Sequence, residues 1–171
     1  MLRVALADLR AGAVETNDEI PAGDPRFAAA DVEVIAPISV RGRASRAGEG
    51  QYYWRVTFET RLRAECRRCL SPVEVPMVES VGVVLSTDPH ASESEGFYLL
   101  PPRAQDVDLT EPLREEFLLA LPHFVECRPD CKGLCPSCGA NLNEGPCGCG
   151  RASDSRWDAL RALADHDSPE S

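Results

Sequence analysis

A single lysine, Lys132, stands in 171 residues. The rest of the basic charge is arginine, the side chain better suited to planar, two-pronged contact with phosphate or carboxylate. Long hydrophobic runs are missing as well. No segment approaches the roughly 18 consecutive apolar residues of a membrane span. The first ten residues carry Arg3, Asp8 and Arg10 where an export signal would place its apolar run, so a cytoplasmic protein is expected. Basic charge is in deficit, with 18 basic residues against 28 acidic ones and a formal net charge of −10. That balance excludes coating of nucleic acid or anionic membrane by bulk charge. Cysteine, by contrast, is plentiful: there are eight. In a reducing compartment, clustered cysteines point to metal ligands or redox centres rather than to disulfides.

The length allows one domain, or one domain with a small appended module. Charge is unevenly spread. Between Arg41 and Arg68 eight arginines face three glutamates, a local charge of +5 that leaves −15 over the remainder. Codon bias could raise arginine over lysine but does not explain the clustering. Residues 1 to 28 are of mixed character: Val4, Leu6 and Leu9 are candidates for a core, and Gly12, Asn17, Pro21, Gly23 and Pro25 then read as irregular chain. From Asp31 the period becomes two: Val32, Val34, Ala36, Ile38 and Val40 predict a half-buried strand, with Pro37 marking a bulge or edge. Tyr52, Trp54, Val56, Phe58, Leu62 and Ala64 then share one face of a long strand, opposite Arg55, Arg61 and Arg63. With the alternating run from Val73 to Leu85 they predict an antiparallel hairpin over 51–85, tipped by Cys66-Arg-Arg-Cys69-Leu-Ser-Pro72. Residues 86–108 read as a mobile acidic loop. A helix is expected near 110–121, with Thr110 as N-cap and Leu113, Phe117, Leu118 and Leu121 as its apolar stripe. A terminal helix is expected from about Ser155.

The cysteines fall into four clips: Cys66 with Cys69, Cys127 with Cys131, Cys135 with Cys138, and Cys147 with Cys149. A Cys-x-x-Cys turn directs two sulfurs to adjacent corners of a zinc tetrahedron. A following glycine, as at Gly139, lets the chain turn with positive φ. Four clips make two four-thiolate sites and leave no open position for a catalytic water, so two structural zinc ions are expected. A redox pair at Cys66 and Cys69 would call for a helix N-terminus rather than a hairpin tip. Short loops close at little entropic cost, which favours Cys135, Cys138, Cys147 and Cys149 around one metal and Cys66, Cys69, Cys127 and Cys131 around the other, stapling the hairpin tip to the end of the helix. The swapped pairing of Cys66 and Cys69 with Cys135 and Cys138 is also open. His123 precedes the cluster, but eight thiolates already suffice. Arg55, Arg61, Arg63, Arg67 and Arg68 form a candidate strip for RNA or a partner protein, with Tyr53 a stacking group.

Cys66-Arg-Arg-Cys69-Leu70 at a strand end, Leu119 to Pro122 closing a helix, Cys127-x-x-x-Cys131-Lys-Gly-Leu-Cys135-Pro-x-Cys138-Gly-Ala-Asn141-Leu-Asn143 and Cys147-Gly-Cys149 together resemble the YceD family, the large ribosomal RNA subunit accumulation proteins. The resemblance spans roughly Asp31 to Leu163. Near its end Ser155 stands where the family's closing Asp-Pro-Arg segment has proline. It implies a role in accumulation or processing of large-subunit ribosomal RNA, with the RNA, a pre-large-subunit particle or a ribosomal protein as partner. It carries no catalytic residues to these positions, and some members lack the second cysteine block.

The expectation is an α+β protein with an antiparallel sheet, a long hairpin, a packed helix and a C-terminal zinc-knuckle module. Residues 1–122 form the sheet-and-helix domain, 123–150 the zinc module, and 151–171 a helix and tail. Its expected function is that of a non-enzymatic, zinc-binding ribosome-biogenesis factor without membrane or small-molecule partners. The alternatives are a thiol redox or zinc-dependent enzyme, or a general protein-interaction adaptor.

Overall fold

The period-two run from Tyr52 to Ala64 becomes one of the two 15-residue strands of the structure, a computed structural model that describes residues 2–88, 97–101, 103–150 and 156. The elements in chain order are β1 (Arg3–Ala5), α1 (Leu6–Ala11), β2 (Val14–Ile20), a 3-10 turn (Pro25–Phe27), β3 (Val32–Val34), β4 (Ile38–Gly48), β5 (Gln51–Glu65), β6 (Pro72–Ser86), β7 (Phe97–Leu99), β8 (Asp106–Asp108) and α2 (Thr110–Leu119). Among the described residues the fold is therefore α+β, mostly strand with two α-helices. By its internal contacts the chain divides into a unit of residues 1–67 and 71–127 and a second of residues 68–70 and 128 onward.

In the first unit a sheet runs β2-β4-β5-β6-β7, with β3 also on β5. β5 and β6 pair antiparallel over their full lengths, from Gln51 opposite Ser86 to Glu65 opposite Pro72. β3 and β4 share one edge of β5: β4 pairs with its first half and β3 with Leu62 to Ala64. The expected continuous strand from Asp31 is thus broken around Pro37, which has no N–H to give a ladder. Thr60 Oγ1 donates to the Ala36 carbonyl at 2.8 Å beside the break.

Inward residues of the sheet meet Phe27 and Phe117, whose rings cross edge to face at 5.4 Å, with Phe58 5.9 Å from Phe117. Trp54 is fully buried, and its indole N–H donates to Thr16 Oγ1 at 2.9 Å. Gly42 makes that bond possible, since a Cβ there would lie 2.6 Å from the indole nitrogen and 2.8 Å from the Thr16 hydroxyl.

Three expectations are corrected. The stretch from Gly12 to Pro25 is not irregular throughout, since β2 occupies Val14–Ile20, while Val4, Leu6 and Leu9 before it join the core as expected. Residues 86–108 are not simply a mobile loop: β7 adds parallel to β6, β8 pairs with β1, and the buried Leu100 donates its N–H to the Ser86 carbonyl at 2.8 Å. Residues 89–96 of that stretch lie outside the described residues. Thr110 is the first residue of α2 rather than its cap, and its N–H is received by Asp108 Oδ1 at 3.0 Å. The terminal helix expected from Ser155 also lies outside the described residues, apart from Arg156. Among the described residues no helix is long and apolar enough to cross a membrane.

The described residues of the second unit, 68–70 and 128–150, fold with little regular structure. Gly139 N–H donates to the Cys135 carbonyl and Cys135 N–H to the Ala140 carbonyl, each at 2.8 Å, and Leu134 and Asn141 form an isolated bridge.

Candidate metal centres and arginine face

Cys135-Pro-Ser-Cys138 folds as a tight turn, and Gly139 follows it with φ +73°. A side chain is disfavoured in that left-handed region, which is why glycine suits the position. The sulfurs of Cys135, Cys138, Cys147 and Cys149 lie within 4.8 Å of one another. Those of Cys66, Cys69, Cys127 and Cys131 do the same. Sulfurs held at about 2.3 Å round one tetrahedral ion would be about 3.8 Å apart, so both sets fit a soft divalent ion on the chemistry and spacing of their donors. His123 is exposed and belongs to neither set.

Crowding of the thiols has an electrostatic cost that a cation would offset. Hydrogen bonds from the backbone N–H groups of Ser137 and Cys138 bring the Cys135 thiol down to about 6. Cys149 is pushed up to about 12 by its hydrogen bond with the Cys138 sulfur and by the charge there. One thiolate is stabilised by the turn while another is kept protonated by its neighbours. A dication at the centre would let all four ionise.

Asn143 supports Cys131 of the second set of sulfurs, a role the spacing of the cysteines did not indicate. Its Nδ2 donates to Cys131 Sγ at 3.4 Å and to Asn141 Oδ1 at 2.8 Å. Its Oδ1 receives the Lys132 N–H at 2.9 Å and Arg128 Nη2 at 2.8 Å, which fixes the amide orientation. The signal available in the sequence was the Asn141-Leu-Asn143 segment itself.

The expected arginine strip separates into engaged and available side chains. Arg63 lies 3.1 Å from Glu33 and 3.0 Å from Glu74. Arg67 pairs with Glu126 at 2.9 Å, its guanidinium 4.9 Å from the centre of the Phe124 ring. The Arg68 carbonyl accepts the Leu134 N–H at 3.0 Å, and its side chain is exposed. Arg55 and Arg61 are exposed, and no carboxylate among the described residues pairs with either. The register adds Arg43, directly opposite Arg55, and Arg41, opposite Thr57. Both had entered only the local charge count.

The family model described as large ribosomal RNA subunit accumulation protein YceD matches residues 54–164, about two thirds of the chain. The chain belongs to the YceD family. Uncharacterised proteins of Mycobacterium bovis and Mycobacterium tuberculosis are 38% identical to it over 101 residues, covering 56% of this chain and 47% of theirs. A chloroplastic Arabidopsis thaliana protein, named as a YCED homolog and large ribosomal RNA subunit accumulation protein, is 32% identical over 91 residues, 47% of this chain and 28% of its own. The matched segment thus spans less than half the length of these relatives. No solved structure gives a significant match.

Proposed function

We propose that this chain acts as a zinc-binding, non-enzymatic factor in the cytoplasm that supports accumulation of large-subunit ribosomal RNA. Membership of the YceD family is the observation that carries this reading, through the role named for the family and for its chloroplastic relative. The two four-cysteine groups supply the structural part of the proposal. Each would hold one ion on sulfurs alone: Cys66, Cys69, Cys127 and Cys131 in one, and Cys135, Cys138, Cys147 and Cys149 in the other. Four thiolates complete the coordination shell of such an ion, so its contribution is to crosslink short segments that have little apolar core of their own. Contact with RNA, a pre-large-subunit particle or a ribosomal protein is assigned to the arginine surface, where Arg55 and Arg61 are exposed with no acidic partner among the described residues. Arg63, Arg67 and Arg68 of the sequence strip would serve at its margin.

Deletion of the gene tests the reading. The ratio of large- to small-subunit ribosomal RNA is expected to fall, to recover with the wild-type gene, and to stay low with a Cys135→Ser, Cys138→Ser gene. An unchanged ratio in the deletion strain overturns it.

A further inference from the structure

The outward face of β4, β5 and β6 carries an arrangement whose energetics make little sense for a sheet that only needs to fold. Arg43 and Arg55 are directly opposite each other in the β4–β5 register. Like charges in that position destabilise a strand pair. Arg41 lies one row further along, opposite Thr57. Among the described residues no carboxylate pairs with Arg41 or Arg55. Arg43 meets Glu15 at 3.3 Å in an ion pair whose side chains are 66% and 73% exposed, a kind of pair that gives way readily to a competing anion. The Ser45 and Thr57 hydroxyls lie among these arginines and line a shallow concavity of about 470 Å³ with them.

An aromatic side chain closes one end of this surface. Tyr53 is half-buried, and its ring lies across Gly82 of the neighbouring strand: a Cβ on Gly82 would come within 2.9 Å of the ring carbons Cε2 and Cζ. Glycine thus provides the seat on which the ring rests, and the ring keeps exposed surface. Three successive outward rows result: Arg41 with Thr57 and Ser80, Arg43 with Arg55 and Gly82, and Ser45 with Tyr53 and Val84. Successive rows are about 6.8 Å apart along the strands, close to one nucleotide step of an extended single strand. The β5 backbone is already paired on both sides. A partner on this face can therefore be held only through side chains, which disfavours an added peptide strand. The concavity is on the scale of a single nucleotide, too small for a duplex groove.

We infer that this face binds single-stranded RNA, with phosphates on Arg41 and Arg55 and a base stacked on Tyr53. The inference rests on the proposed role in ribosomal RNA accumulation for the choice of RNA, while the geometry supplies the site and the single-stranded form. Arginines with adjacent hydroxyls suit phosphate oxygens, and an aromatic platform accepts any base. Because acidic residues outnumber basic ones by 28 to 18, the chain binds strands at this face rather than all over its surface.

The test uses the full, metal-loaded chain and a fluorescein-labelled 12-nucleotide oligouridylate, followed by anisotropy at two salt concentrations. Binding is expected to weaken as salt rises. The Arg41→Glu, Arg55→Glu variant should bind at least about tenfold more weakly, and Tyr53→Ala about fivefold, with Tyr53→Phe close to wild type. The variant should fold, because a glutamate at position 55 faces Arg43 and replaces a like-charged pair with an opposite one; circular dichroism checks this. Undiminished binding by the folded double variant, or no binding by the wild type, overturns the inference. If the double variant instead loses an acidic protein from cell extract while binding oligouridylate normally, the face is a protein dock and the inference falls. These outcomes are independent of the deletion strain. An unchanged ribosomal RNA ratio there removes the proposed role, while the oligouridylate measurements still decide whether the face holds a strand.

Discussion

Leu70 and Gly139 follow the second cysteine of two Cys-x-x-Cys turns in the same chain, with φ +58° and +73°. Glycine takes that conformation without penalty, whereas a residue with a Cβ meets its own carbonyl there at a cost of roughly 1–2 kcal/mol. Leu70 is 55% exposed, so it recovers little of this cost by packing. Leu70→Gly should therefore raise stability by about 0.5–1 kcal/mol after allowing for the greater freedom of glycine in the unfolded chain. Thermal melts of the metal-loaded protein check the direction, and a lowered melting temperature would mean that the leucine side chain holds something in place. The same scale shows what could not be read from the chain in advance. Arg63 and Arg67 looked equivalent to Arg55, because their partners Glu33, Glu74 and Glu126 come from other segments. The Arg43–Arg55 pair depends on the β4–β5 register, which shifts between Arg46 and Gly48. The knuckle at Cys135 was legible because its geometry is local.

Among the elements, the 3-10 turn and α2 are held in similar ways. Asp24 accepts the Arg26 N–H at 3.0 Å and its guanidinium at 2.7 Å, and Asp108 accepts the Thr110 N–H. Arg114 of α2 donates to the Arg26 carbonyl at 2.9 Å, and the two segments deliver Phe27 and Phe117 to the core. The hydrogen bonds from Arg26 bring the Asp24 carboxyl down to about 2, and those from Thr110 lower Asp108. Both folded values lie below the unfolded value of 3.8. Their stabilisation is therefore complete above about pH 4 and is lost as pH falls from there toward 2. Melting temperatures across that window should fall, and less steeply in an Asp24→Asn, Asp108→Asn variant. Asp108→Ala alone should cost about 1 kcal/mol at neutral pH. The β5–β6 hairpin was plain in the sequence because one apolar face persists through it. β2 was hidden because it turns Thr16 and Asp18 inward between Val14 and Ile20, so polar residues occupy the positions that would have shown the period. β7 was hidden because three residues after an acidic stretch carry too short a pattern.

For the whole molecule, the metal content is the most direct measurement. Two ions per chain are expected by elemental analysis of protein purified without chelator, and one per chain for Cys135→Ser, Cys138→Ser. Removal by a strong chelator should expose eight titratable thiols and raise hydrogen exchange across residues 128–149, since short segments with little core depend on the ion for order. A wild-type value of zero with reversible disulfides would exclude the structural reading. The net charge of −10 is also an average: Arg41 and Arg55, which no carboxylate pairs among the described residues, share one sheet face, and bulk charge says little about what that face can hold. Trp54 gives the chain an optical label of its own. The indole is sealed from solvent and hydrogen-bonded to Thr16, and the other tryptophan is Trp157. With Trp157 replaced by phenylalanine, emission would report on the sheet alone, and its melting could be watched separately while metal is withdrawn from the cysteines.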